Sequence, residues 1–155
     1  MSIEGRLKEL GLVLPQPAAP IAAYVPAVAA GGLLHISGQL PFRPDGTIVT
    51  GRLGENLDVE EGAEAARRCG LMLIAQIGLA LDGKFERIER IVKLGVFVSS
   101  TTEFTDQPKV ANGASELMVA IFGEIGKHAR SAVGVPALPL GAAVEIDAIV
   151  AVRAA

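Results

Sequence analysis

Residues 144 to 152, VEIDAIVAV, begin with alternating apolar and charged side chains and continue as a largely β-branched run. Successive side chains of a strand point to opposite faces, so this pattern predicts a strand. Glu145 and Asp147 then share one face, opposite to their apolar neighbours. The earlier run RSAVGV, which begins at Arg130, predicts a second strand. The chain therefore ends in two strands that each carry charged side chains.

Two long helices are predicted before these strands. Asp58 and Glu61 have the spacing of a capping box, and apolar residues at helical spacing continue to about Leu81. TDQP at 105 to 108 starts a second helix, which Gly123 ends. Its predicted buried stripe consists of Val110, Ala114, Leu117, Met118 and Ile121.

The order of the predicted elements is two or three strands, a helix, a strand, a helix and two strands. This order predicts an α+β fold, with one mixed β-sheet and two long helices packed on one face. Ala63 and Gly70 on the first helix are expected to let the sheet approach closely. The earlier predicted strands are AAYVPAVAA at 22 to 30, LLHISGQLP at 33 to 41, TIV at 47 to 49 and RIVKLGVFVSS at 90 to 100.

The 155 residues are predicted to form a single domain, 1 to 155. Residues 1 to 18 are an N-terminal extension with a short amphipathic helix at 3 to 11. Half of the residues are hydrophobic and the mean hydropathy is +0.44, which is more apolar than one small domain requires. The second face of the sheet also has no helix to cover it. We therefore expect a homo-oligomer in which another copy covers that face.

Charge and cysteine content exclude several classes of partner. The net charge of −3 provides no general attraction for nucleic acid or an anionic membrane. Leu10 to Phe42 carries no Asp, Glu, Lys or Arg, but four prolines and the pair Gly31-Gly32 break any helix there, so no membrane span is expected. Cys69 is the only cysteine, is predicted to be buried, and suits a reducing cytoplasm.

Few residues remain that could carry chemistry. His35 and His128 are the only histidines, and neither has another metal-binding side chain at ligand spacing, so no metal is expected. No phosphate-binding glycine motif is present. Arg130 could grip a carboxylate in bidentate fashion while Glu145 holds or deprotonates a water. Spacing alone favours two half-exposed strands with polar residues turned to solvent over such a site.

Three segments of the chain resemble the YjgF/RidA family, also called endoribonuclease L-PSP-like proteins: AAYVPAV at 22 to 28, ISGQLP at 36 to 41 and ARSAVGVPALPLGAAVEIDAIVAV at 129 to 152. The resemblance covers about residues 20 to 153. It implies a chorismate-mutase-like fold and a homotrimer, in which the sheets form a central barrel and clefts lie between neighbouring subunits. It also implies cofactor-free hydrolysis of small enamines and imines, such as 2-iminopropionate, to 2-oxo acids and ammonia.

The resemblance assigns a role to six residues. Arg130 matches the arginine that binds the substrate carboxylate, and Glu145 matches the glutamate that orients the attacking water. The pocket-lining positions are Tyr24, Ser37, Gly38 and Asn112. Ala132 stands where the family has a cysteine, and the 42–58 segment differs from the compact deaminases, so the resemblance implies a divergent branch.

Three functions follow from these observations. The first is a cytoplasmic imine deaminase with a small carboxylate-bearing substrate and no cofactor. The second is a trimer that binds a small carboxylate through Arg130 without turnover, which the missing cysteine keeps open. The third is the ribonuclease activity in the family's older name, against which the acidic net charge and the single tyrosine argue.

Overall fold

The computed structural model of the chain describes residues 1–19 and 22–155. It contains three α-helices and five strands in these ranges. The helices are α1 (Ile3–Glu9), α2 (Val59–Ala80) and α3 (Gln107–Phe122). The strands are β1 (Ala27–Ala30), β2 (Leu33–Gln39), β3 (Ile88–Ser99), β4 (Ala129–Val135) and β5 (Val144–Val152).

The five strands form one mixed sheet in the order β1-β2-β5-β3-β4. The pair β3 and β4 is parallel, because α3 carries the chain back between them, and the other pairs are antiparallel. The alternating strand β5 lies at the centre, between β2 and β3. This position explains the alternation in residues 144 to 152, because one face of the strand lies in the core and takes apolar side chains.

Helices α2 and α3 cover one face of the sheet, which confirms the predicted α+β layer fold. The predicted apolar stripe of α3 is buried in full, and β5 turns Val144 and Ile146 into the same core. Burial of these apolar side chains is the main favourable contribution to folding. The largest buried side chains in this core include Leu73, Ile74, Ile77, Ile91, Leu94, Leu117 and Met118.

The two long helices begin and end close to the predicted residues. Asp58 accepts a hydrogen bond from the backbone N–H of Glu61, and the Glu61 carboxylate accepts one from the Asp58 N–H, so the capping box is present. Gly123, with φ of +64°, forms the C-cap of α3.

The small residues of α2 serve a different contact from the one predicted. A Cβ on Gly70 would meet Leu117 and Ala114 of α3, and a Cβ on Gly113 of α3 would overlap the backbone carbonyl of Ala63. These small residues therefore let α3, and not the sheet, approach α2 closely.

Two predicted strands are wrong in whole or in part. Within residues 47 to 49, Ile48 forms one isolated bridge, with Phe42, and there is no strand. The first strand begins only at Ala27, five residues later than predicted. Pro26 has no N–H to donate to a ladder, although its carbonyl accepts a hydrogen bond from the backbone of Ser37.

The N-terminal extension packs against the rest of the chain. Its helix α1 spans Ile3–Glu9, buries Leu7 and contacts α3. Leu12 and Leu14 continue this contact with the core. The prolines predicted to break a helix include Pro20, which lies outside the described residues. Across residues 1–19 and 22–155, no helix is long and apolar enough to span a bilayer.

Candidate active site

The Arg130 side chain is held against the helix layer. Its Nη1 donates to Asn112 Oδ1 at 2.9 Å and to Ser115 Oγ at 3.1 Å, both on α3. Asn112 and Ser115 are three residues apart and therefore share one face of the helix. Arg130 is thus half-buried between α3 and the edge strand β4, on the face of the sheet that the helices cover. We call Arg130 and Asn112 the arginine half of the site.

Ser115 is also hydrogen-bonded to a histidine that lies just before β4. Ser115 Oγ lies 2.9 Å from His128 Nε2, and His128 Nδ1 lies 2.7 Å from the backbone carbonyl of Gly126. Partial burial, together with the nearby positive charge of Arg130, lowers the pKa of His128. The imidazole is therefore neutral at physiological pH.

Glu145 and Asp147 lie on the opposite face of the sheet, as the alternation predicted. Each carboxylate lies over a glycine of the neighbouring strand: a Cβ on Gly38 would overlap Glu145 Oε1, and a Cβ on Gly95 would overlap Asp147 Oδ1. The glycines therefore leave room for the two carboxylates against the backbone. Burial, and next the negative charge of Asp147, raises the pKa of Glu145.

Of the other pocket positions carried over by resemblance, Gly38 and its neighbour Ser37 lie next to Glu145. Ser37 and Gly38 occupy a β-bulge of β2, where two residues stand opposite Asp147 alone. Ser37 Oγ donates to the Val25 carbonyl at 3.1 Å and so attaches the segment that carries Tyr24. The Tyr24 side chain is 59% exposed. Glu145, Gly38, Ser37 and Tyr24 are called the glutamate half of the site.

The two halves do not meet within one chain. Arg130 is in register with Leu94, whose side chain is buried under the helices, whereas Glu145 is in register with Phe97 on the open face. The whole of β3 also lies between β4 and β5. The six residues therefore form two groups on opposite faces of the sheet.

The sequence did not assign a role to Ser115, which accepts from Arg130, or to His128, which bonds Ser115. Two features of the sequence could have indicated them. Ser115 follows Asn112 by three residues in a helix, and His128 precedes Arg130 by two at the start of a strand. Both spacings place a side chain on the same face as its partner.

The single cysteine of the chain, Cys69, is buried, as predicted. Cys69 is fully buried in α2, and its Sγ–H donates to the Val144 carbonyl at 3.5 Å. Burial, followed by the charge of Glu145, raises the pKa of this thiol well above its usual range. Its thiolate is therefore not accessible for chemistry. In the described part of the chain, no three His, Cys, Asp or Glu side chains are grouped so that they could hold a metal ion.

Comparison with known proteins identifies the family. The family model described as Endoribonuclease L-PSP matches residues 15–152. Protein TCP17 of Trypanosoma cruzi is 52% identical over 149 residues, which cover 96% of this chain and 92% of that protein. The chain therefore belongs to the YjgF/RidA, or endoribonuclease L-PSP, family, and the resemblance seen in the sequence is confirmed.

Solved structures show where the chain stands within this family. The protein Atu1372 of Agrobacterium tumefaciens is 48% identical and superposes with a TM-score of 0.90, covering 98% of this chain and 94% of that chain. RidA from the Antarctic bacterium Psychrobacter sp. PAMC 21119 is 30% identical, with a TM-score of 0.58 and coverage of 86% and 92%. The lower TM-score agrees with the divergent branch predicted from the sequence.

Proposed function

We propose that this chain hydrolyses small reactive 2-imino acids to 2-oxo acids and ammonia, in clefts between the copies of a homotrimer. Family membership supports a role of this kind. The observation that carries the proposal is the pair of incomplete half-sites. One presents a fixed guanidinium at a sheet edge, and the other presents a carboxylate of raised pKa on the open face of the sheet.

Assembly of copies supplies the contact that one chain lacks. The open face exposes large apolar side chains: Val28 is 51% exposed and Val133 is 45% exposed. In the trimer, the open faces line a central barrel and this apolar surface is buried. The arginine half of one copy then meets the glutamate half of its neighbour. The opposite faces of Arg130 and Glu145 support this arrangement, because neither side chain can cross the sheet.

Each side chain has a defined task in the cleft. Arg130 binds the substrate carboxylate through its planar fork, and Asn112 holds the guanidinium in place. Glu145 orients a water whose oxygen attacks the imine carbon. The resulting carbinolamine loses ammonia as the C–N bond breaks, and the 2-oxo acid remains. Tyr24, Ser37 and Gly38 form the wall beside Glu145.

The reaction needs no cofactor and no thiol. A protonated imine is already electrophilic, so catalysis consists mainly of positioning substrate and water and of proton transfer by Glu145. Ala132, which replaces the family's cysteine, packs against the core on the helix side of β4. The steps proposed here therefore use no side chain at position 132. The cytoplasmic location expected from the lone Cys69 stays a prediction.

A second candidate is a trimer that binds small carboxylates without turnover, which the replacement of that cysteine by Ala132 would favour if the family's thiol served catalysis. In that protein Arg130 still grips a carboxylate, and Glu145 only shapes the cleft. Ribonuclease activity, carried in the family's description, is disfavoured by the net charge of −3 and the absence of tryptophan.

The test is a coupled assay with a pyridoxal-phosphate-dependent serine or threonine dehydratase, which releases the imine. Imine decay is followed with wild type, Arg130→Ala and Glu145→Gln, and with Arg153→Ala as a control for loss of an exposed arginine. Faster decay with wild type and the control, but not with the two site variants, supports the deaminase. No acceleration by wild type rejects these substrates. A thermal shift with pyruvate that Arg130→Ala abolishes then indicates the carboxylate-binding trimer.

A further inference from the structure

Arg130 ends a chain of hydrogen bonds whose other members, Ser115 and His128, are outside the site carried over from the family. Ser115 Oγ lies 3.1 Å from Arg130 Nη1 and 2.9 Å from His128 Nε2. We propose that Ser115 and His128 are positioning residues that hold Arg130 in its carboxylate-binding orientation. This inference rests on the proposed function, because it specifies how the substrate's carboxylate is received.

The direction of every proton in this chain follows from the partners. The Gly126 carbonyl can only accept, so His128 Nδ1 carries the proton of the neutral imidazole. His128 Nε2 is then an acceptor, and the Ser115 hydroxyl donates its hydrogen bond to it. A guanidinium can only donate, and the lone pairs of Ser115 Oγ therefore face Arg130. Removing His128 frees the Ser115 hydroxyl to turn its proton toward the guanidinium.

The hydrogen bonds select one edge of the guanidinium for the substrate. Among the described side chains, Asn112 and Ser115 accept hydrogen bonds from Arg130, and both bonds are donated by Nη1. These two contacts occupy the two N–H groups of Nη1. The Nε–Nη2 edge then remains for a carboxylate, and two parallel N–H groups there match its two oxygens. We therefore expect a side-on bidentate contact.

The charged groups around His128 are Arg130, Lys127, Glu124 and Arg90, whose Nη2 donates to the Lys127 backbone carbonyl at 2.9 Å. His128, Arg130, Ser115, Val119 and Lys127 line an open recess of about 270 Å³. Lys127 Nζ is paired with Glu124 Oε2 at 2.8 Å. Protonation of His128 places an imidazolium beside Arg130 and turns Nε2 from acceptor to donor. Both effects loosen Arg130, so carboxylate binding by wild type should weaken on acidification.

The experiment measures Arg130 and carboxylate binding separately from turnover. Pyruvate is titrated into wild type, Ser115→Ala, His128→Ala and His128→Gln, and the Arg130 guanidinium is followed by ¹⁵N NMR, assigned with Arg130→Lys. Ser115→Ala should raise the pyruvate Kd about tenfold, because Arg130 loses one charge-assisted hydrogen bond, and should average the Nη signals. His128→Ala should change both in the same direction, because Ser115 is then no longer held. His128→Gln, whose amide oxygen can accept from Ser115, should retain tight binding and lose the acid-side weakening.

Lys127→Ala is the matched control, because it removes a positive charge from the same recess and leaves the hydrogen-bonded chain intact. It should change the Kd by less than about twofold, as expected for an exposed charge already paired. In the deaminase assay, Ser115→Ala should raise KM with little change in kcat, as loss of uniform binding predicts.

A Kd and an Arg130 NMR signal at wild-type values in Ser115→Ala would overturn the inference. An increase in Kd for Lys127→Ala as large as that for Ser115→Ala would also overturn it, since the recess would then act through charge alone. If wild type binds pyruvate but turns over no imine, the proposed deaminase fails while the positioning of Arg130 is still decided by the titration and the NMR signal.

Discussion

The guanidinium of Arg130 and the carboxylate of Glu145 lie on opposite faces of one sheet, with strand β3 between their strands. Arg130 is in register with the buried Leu94 and bonds to α3, whereas Glu145 is in register with Phe97 on the open face. A substrate that contacts both groups must therefore lie between two copies of the chain. This relationship makes the assembly a requirement of the proposed chemistry.

Mixed trimers of Arg130→Ala and Glu145→Gln should regain activity that neither variant has alone. A cleft with arginine from one copy and glutamate from its neighbour is complete with probability one half times one half, so random equal mixing should restore about a quarter of wild-type activity. The measurement is imine decay after the two purified variants are refolded together. Wild type mixed equally with the double variant gives the reference value, also about a quarter for a cleft between copies. Zero recovery in the first mixture, with about half activity in the second, would show that the site lies within one chain.

Gly38→Ala should reduce imine hydrolysis more than it reduces stability. The new methyl group overlaps Glu145 Oε1, the end of a side chain that can turn away, so the carboxylate moves and the backbone does not. A displacement of about 1 Å at a reacting group can lower the rate about a hundredfold. Gly95→Ala is the matched control, because its methyl group displaces Asp147 instead. Equal kcat/KM values for the two variants would remove the role assigned to Glu145.

Glu145→Gln should raise Tm at pH 7 and have less effect near pH 4. Burial and the charge of Asp147 raise the pKa of Glu145 in the folded protein. A raised carboxyl pKa means that the folded state binds the proton more tightly, so wild-type stability falls as pH rises from the unfolded pKa, about 4.3, through the folded pKa. Glutamine does not ionise, so the variant does not lose stability in this way as the pH rises. The check is thermal unfolding from pH 4 to pH 7; a wild-type advantage that grows with pH would contradict the assignment.

Gly113→Ala should destabilise the fold by about 1 to 3 kcal/mol, as expected for overpacking at a close contact. The new methyl group meets the Ala63 carbonyl, which is helix backbone and cannot rotate away. The better helix propensity of alanine, about 1 kcal/mol, offsets part of this cost. Urea unfolding measures the difference, and Gly70→Ala, whose new methyl group meets the end of the Leu117 side chain instead of helix backbone, provides a milder comparison. A stability of Gly113→Ala at or above wild type would mean that the two helices separate at no cost.

The elements predicted correctly are those whose pattern is local. The capping box at Asp58 and Glu61, the stripe of α3 and the alternation of β5 each involve residues within one or two turns or a few strand positions. Residues 47 to 49 have strand-like composition, but they form only the isolated bridge of Ile48 with Phe42. Strand formation depends on pairing with a neighbouring strand, which the composition of one segment does not specify.

The site was predicted as a set of residues and not as an arrangement. The motif around Arg130 and the alternation at Glu145 identified both side chains and the correct face for the glutamate. The pairing of Arg130 with α3, the Ser115–His128 chain and the glycines beneath the carboxylates join residues 13 to over 100 positions apart. A pattern within one segment carries no information on such contacts.

The sequence by itself determined the helices, four of the five strands in outline, the face that each β5 side chain takes, and the family. The elements and the faces follow from side-chain periodicity and short-range hydrogen bonding, which act along the chain. The family follows from the resemblance of three segments to its members. Only the tertiary structure decided that β3 separates Arg130 from Glu145 and that the helix layer holds the arginine. Strand order is set by the burial of whole faces against one another, so the two halves of the candidate site were separated by packing that no single stretch of residues specifies.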